Sequence, residues 1–239
     1  MATLAFPNQF QPRGAVAPVW HTAVFVSFFL LLAAAGALAQ QEAAKGGGLT
    51  SGNRPDLAPT YAFMIAAELG LVAFVWKLGL RRTGTSLSDL IGGRWTSAKA
   101  VVTDILVAGA AWILLKGVAG LLFVLFDAGR TSSVSPLLPS NLLERVLWVA
   151  LSISAGFAEE VVFRGYLQRQ LFAYSGSFPL AVLLQASVFA VAHGYQGARN
   201  CLMIAVFGML FTLLSEWRKS LRPGILAHAW TDLASGLLR

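Results

Sequence analysis

Glu159-Glu160-Val161-Val162-Phe163-Arg164 sets two acids and a base between apolar stretches, Leu142 to Phe157 before it and Pro179 to Ala192 after it. A charge at the centre of a membrane helix costs about 2.5–3.5 kcal/mol on insertion scales, so a cluster of three is a candidate for chemistry. Helical spacing separates the acids. Glu160 and Arg164 stand at i and i+4, share a face, and have the acid N-terminal, the better orientation for an ion pair. Glu159 is turned about 100° away, with Phe163 as its i+4 neighbour and no local countercharge. A desolvated, unpartnered carboxylate has the character of a general base. The bland alternative is that both acids brace the bundle through inter-helix hydrogen bonds.

Two further segments carry matching chemistry. Phe189-Ala190-Val191-Ala192-His193 puts a histidine one turn beyond a phenylalanine that can pack its ring. His228-Ala229-Trp230-Thr231-Asp232 puts a histidine and an acid on one helical face. Either histidine alone reads as a satisfied bundle residue. Both together, on apolar segments beside the carboxylate helix, shift that balance from a structural role toward a functional one.

The elements that must position these groups are membrane helices. The 239 residues are 56% hydrophobic and only 12% charged, whereas a soluble domain is about 25% charged. The mean hydropathy of +0.67 agrees. With about 20 apolar residues needed per span, seven candidates emerge: Val19–Ala39, Thr60–Leu80, Ala100–Phe126, Leu142–Leu171, Phe178–Tyr195, Asn200–Trp217 and Pro223–Leu238. The expected fold class is all-α, a polytopic transmembrane bundle of about seven to eight helices. Ala37-Leu38-Ala39 resembles a signal-peptidase site, but an uncleaved first helix is the favoured reading. No internal repeat is visible, which argues against a transporter built from repeated halves.

Basic residues orient the bundle. Arg13, the Lys77–Lys99 loop, Arg164, Arg169 and the Glu216–Arg222 turn outweigh Lys45, Arg54, Arg130, Arg145, Arg199 and Arg239. The positive-inside rule then puts the N-terminus, the Lys77–Lys99 loop and the Glu216–Arg222 turn in the cytoplasm, in a plasma or inner membrane, with Gly46–Pro59 as a flexible external linker. The net charge of +7 is explained by these short loops, so nucleic acid is not an expected partner. The single Cys201 excludes an internal disulfide or a CxxC site. Of the remaining polar residues, Glu68 and Lys116 are expected to pair across helices. Asp104 is expected at the interface and His21, beside Trp20, at the headgroups. Helix heights leave one conflict. At 1.5 Å per residue Glu159 and His193 lie about 18 and 21 Å from the cytoplasmic ends of their helices, but His228 only about 8 Å.

The ordered set EExxxR, FxxxH and HxxxD on separate membrane helices resembles the CPBP family, the CAAX-type prenyl endopeptidases and their bacterial relatives, also called the ABI family. The resemblance covers Leu142 to Leu238, giving a division into residues 1–140, three non-diagnostic spans, and 141–239, the catalytic core. It implies an intramembrane endopeptidase in which Glu159 activates water and His193 holds or shares it. His228 and Asp232 would supply oxyanion-side contacts, while Glu160, Arg164 and Phe189 support the site. Glu159, His193 and His228 could instead form an open three-ligand zinc site, and a metal-free glutamate mechanism fits the same residues. The implied partners are membrane lipids and a peptide or protein substrate, with lipidated substrates among the candidates. The competing functions are a catalytically silent interaction or immunity protein of the same fold and a small transporter using Glu68, Lys116 and Glu159. The ending Leu237-Leu238-Arg239 is not a CAAX signal, so the expectation is a processor rather than a substrate.

Overall fold

The structure, a computed structural model, describes residues 14–45, 55–126 and 135–238. Residues 46–54 of the expected Gly46–Pro59 linker lie outside the described residues, as do Arg13, Arg54, Arg130 and Arg239. The described residues form eight helices: α1 (Val19–Lys45), α2 (Ala58–Thr83), α3 (Leu87–Ile91), α4 (Ala98–Phe126), α5 (Leu142–Ser175), α6 (Phe178–Ala192), α7 (Ala198–Arg218) and α8 (Arg222–Leu237). Five of them (α1, α2, α4, α5 and α7) are long and apolar enough to cross a bilayer. The chain is an integral membrane protein, an all-helical bundle whose lipid-facing surface is left apolar. Large side chains such as Leu31, Phe63, Leu106 and Val124 stand exposed there.

α5 is the axis. It runs antiparallel to α8, and glycines set how closely the two backbones approach. A Cβ at Gly156 would stand 2.9 Å from both Ala229 N and Ile225 O, and one at Gly165 would stand 3.0 Å from the Leu221 side chain. Near the other end, the Trp148 indole donates to the Asp232 carbonyl at 3.0 Å. Small residues at a membrane helix interface let dispersion contacts accumulate where the hydrophobic effect contributes little.

This register removes the height conflict. α5 continues four residues past the expected Leu171, and the tight α7–α8 turn does not reach its end but docks at Gly165. His228 thereby rises to the level of Glu160. The turn is held by α3, a short helix that the span pattern did not reveal. α3 starts at a capping box between Ser86 and Asp89 and ends at Gly92. Gly92 has φ +97°, and a Cβ there would meet the Lys219 carbonyl at 2.7 Å, so only glycine suits both the conformation and the space. Leu221 N and Ser220 Oγ both donate to the Ile91 carbonyl, at 2.9 and 3.1 Å.

Two expectations about polar residues are corrected. His21 is not at the headgroups. It is fully buried, stacked on Phe74 with ring centroids 4.3 Å apart. Its Nε2 faces the Phe74 carbonyl, which can only accept, so Nδ1 accepts from the Tyr166 hydroxyl at 2.7 Å. Tyr166 is joined in turn to Thr22, and Thr22 to Gln170, so one polar chain ties α1, α2 and α5. Asp104 is likewise buried within the bundle instead of being exposed at the interface. It accepts from Trp95 Nε1 at 2.8 Å and pairs with Arg218 at 3.0 Å and Arg222 at 2.9 Å. Both corrections have one cause: each side chain lies where three segments of chain converge, and local apolar patterning does not show such convergence.

Candidate active site

The acidic segment sits where the α5 backbone changes. Leu142–Glu159 is α-helical, Glu160–Leu167 is π-helical, and α-helix resumes at Gln168. A π segment widens the turn and alters the angle between successive side chains, and such segments are frequent at functional sites. Glu160 points into the bundle. Its Oε1 lies 3.3 Å from Arg164 Nη1, and neither side chain has any exposed surface. The guanidinium is sandwiched between rings, 4.1 Å from the Phe189 centroid and 5.4 Å from that of Phe211.

Glu160 has a second partner that helical spacing did not reveal: His228 Nδ1 donates to its Oε1 at 2.9 Å. Gly224 leaves room for this carboxylate, since a Cβ there would stand 3.2 Å from Glu160 Oε2. The His228 ring stacks on Phe211 at 5.1 Å, and its Nε2 then faces Glu159 Oε2 at 3.4 Å and Asp232 Oδ2 at 3.7 Å. The two glutamates, divided by the sequence pattern, therefore meet opposite nitrogens of one imidazole.

His193 approaches Glu159 from the other side. The expected span to Tyr195 is corrected, because α6 ends at Ala192 and His193 is its C-terminal cap. Its Nδ1 lies 2.8 Å from the Phe189 carbonyl. A carbonyl only accepts, so Nδ1 carries a proton and Nε2 is turned toward Glu159 Oε1, 3.7 Å away. Phe189 thus orients His193 through its carbonyl, while its ring packs on His193 and under Arg164. Side-chain exposure separates the acids: Glu159 retains 19%, Glu160 none.

Glu159, His193, His228 and Asp232 share a cavity of about 700 Å³, which Glu68 and Lys116 also line. Glu68 and Lys116 do not pair. Glu68 accepts from Ser154 on α5, and Lys116 lies over the Trp112 ring at 5.6 Å. Ser154 carried no signal in the sequence, whereas Gly156 and Gly224 were visible as glycines without a visible reason. Among the described residues, no group of three or more His, Cys, Asp or Glu side chains is arranged to hold a metal ion.

No curated protein and no solved structure matches the chain. The family model described as Rce1-like, type II CAAX prenyl endopeptidase, matches residues 141–234. That segment carries both glutamates, Arg164, both histidines and Asp232, so the likeness to the family falls on the residues of the site.

Proposed function

We propose that the chain is an intramembrane endopeptidase whose general base is Glu159, with residues 141–239 as its catalytic core and 1–140 as its support. One observation carries the reading: a partly accessible carboxylate on the cavity wall faces the Nε2 atoms of two histidines, each pinned through its Nδ1. The family match over the same residues supports it.

The chemistry follows from the atoms present. A water between Glu159 and His193 gives its proton to the Glu159 carboxylate while its oxygen bonds to the peptide carbonyl carbon. The carbonyl π electrons move to oxygen, and the negative charge is met by the His228 Nε2 proton, with Asp232 and Glu160 holding that ring. Collapse breaks the C–N bond, and Glu159 delivers its proton to the leaving amine, so one water is consumed and the base is restored. Preorganised donors contribute most at the oxyanion stage. Every step uses this chain's own groups.

The test is cleavage of a peptide panel by purified wild type and Glu159→Gln protein, each with and without a zinc chelator. Glu159→Gln should lose at least about a hundredfold in kcat, the lower range for general base catalysis, while still inserting and folding. A fully active Glu159→Gln enzyme would sink the mechanism. Activity lost to the chelator and restored by zinc would overturn the metal-free version alone. An intact cellular phenotype in Glu159→Gln and His193→Ala strains would favour the silent interaction protein.

A further inference from the structure

Among the described residues the cavity is lined from one end of the bundle only, and the two ends differ in charge. Its rim is built from Thr60 at the start of α2, Phe123 near the end of α4, Ser135 in the α4–α5 connection, Gln196 after α6 and Ser235 near the end of α8. All five belong to the same end of the bundle. Glu159, Phe211 and His228 form the floor, about midway along their helices. No residue of 77–99, 165–175 or 216–222 lines it.

Below the floor the bundle is solid. Arg164 and Glu160 fill the next layer, then Leu90 of α3 packs against Gly165 and the α7–α8 turn. Arg169 donates to the Leu90 carbonyl at 3.2 Å, and Asp104 clamps Arg218 and Arg222. This closed end is also the basic one. Four arginines there stand over tryptophan rings, Arg81 on Trp76, Arg82 on Trp20, Arg218 on Trp217 and Arg222 on Trp95, at 5.3–5.8 Å. Tryptophans gather at the membrane interface, and an excess of arginine and lysine in short loops marks the cytoplasmic one.

We infer that the cavity opens to the non-cytoplasmic face, so that the site serves polypeptide segments presented on the outer side of the membrane rather than tails of cytoplasmic proteins. The substrate class rests on the endopeptidase reading; the direction of opening does not. A substrate reaching Glu159 threads past Thr60 and Ser235 along a mainly apolar wall, with Glu68, Lys116 and Asp232 as charged side chains flanking its path. That geometry favours an extended, largely apolar segment.

Cysteine accessibility tests the direction without requiring turnover. Ser135→Cys at the rim, Met64→Cys on the cavity wall and Ser97→Cys at the basic end are made in the full-length protein. Wild type, with its one cysteine Cys201, is the baseline. Right-side-out and inside-out vesicles are treated with a small charged methanethiosulfonate reagent. The expected result is modification of Ser135→Cys and Met64→Cys in right-side-out vesicles and of Ser97→Cys only in inside-out vesicles. The reverse pattern, or a Met64→Cys thiol reached only from the Ser97 side or from neither, overturns the inference. Thr60→Cys replaces Met64→Cys if the latter fails to insert. The peptide that purified wild type cleaves is then added outside each vesicle type. Cleavage only in inside-out vesicles overturns the substrate class. If purified wild type cleaves no peptide of the panel in detergent, the endopeptidase reading is overturned and the labelling result stands.

Discussion

Replacing Arg164 by methionine should be the most destabilising single change at the site that leaves Glu159 untouched. Arg164 is fully buried, 3.3 Å from Glu160 and held between Phe189 and Phe211. Methionine keeps much of the volume but leaves the Glu160 carboxylate buried with only His228 to meet it. Breaking one side of a buried pair costs about 3–5 kcal/mol, because the remaining charge is uncompensated. At roughly 2–4 °C per kcal/mol for a chain of this size, the midpoint should fall by about 6–20 °C. Removing both charges behaves differently. In the double variant Glu160→Gln/Arg164→Met no charge is stranded, and the glutamine oxygen still accepts from His228 Nδ1. Replacing a whole buried pair is often neutral, so the double variant should melt closer to wild type than Arg164→Met does. The assay is thermal unfolding in detergent followed by tryptophan fluorescence, with the four proteins completing a double-mutant cycle. An Arg164→Met midpoint within a degree or two of wild type, or a double variant less stable than that single, would refute the buried-pair argument.

The helix interfaces make separate predictions. Gly156→Leu should lower activity at least about a hundredfold, because even a Cβ crowds Ala229 N and Ile225 O and the pair that aligns Glu159 with His228 must part. Gly70→Ala, with nothing within 4 Å of its added Cβ, should be neutral or stabilise by up to about 1 kcal/mol in the same thermal assay. Asp104→Asn strands two partly exposed arginines at the base of α8 and should cost about 1–3 kcal/mol, read as a lower midpoint with insertion retained. His21→Phe leaves the buried Tyr166 hydroxyl without its imidazole acceptor and should cost about 1–3 kcal/mol, while KM for a cleaved peptide stays unchanged.

What the sequence determined by itself was the material of the site and its solvent. Apolar runs of bilayer length dictated helices, since a lipid core leaves backbone groups no other partner. Charges too costly for lipid singled out Glu159, Glu160 and Arg164, and the i, i+4 spacing identified the Glu160–Arg164 pair that the structure contains. The histidines followed from their place on neighbouring apolar segments. These inferences succeed because composition and helical period are local properties.

Tertiary structure decided how far each helix reaches and which groups share a partner. That His228 bridges both glutamates depends on a π segment in α5 and on a turn stopping at Gly165, neither written in a hydrophobic pattern. The roles of Gly92, Gly156 and Gly224 are set by backbones from distant parts of the chain that press against them. The same holds for the partners of His21, Asp104 and Glu68, which come from segments 53–145 residues away in sequence, except where Trp95 lies closer at nine. Charge along a chain tells which groups must be reconciled with the membrane; only the packed bundle tells which of them meet, and which one faces the cavity.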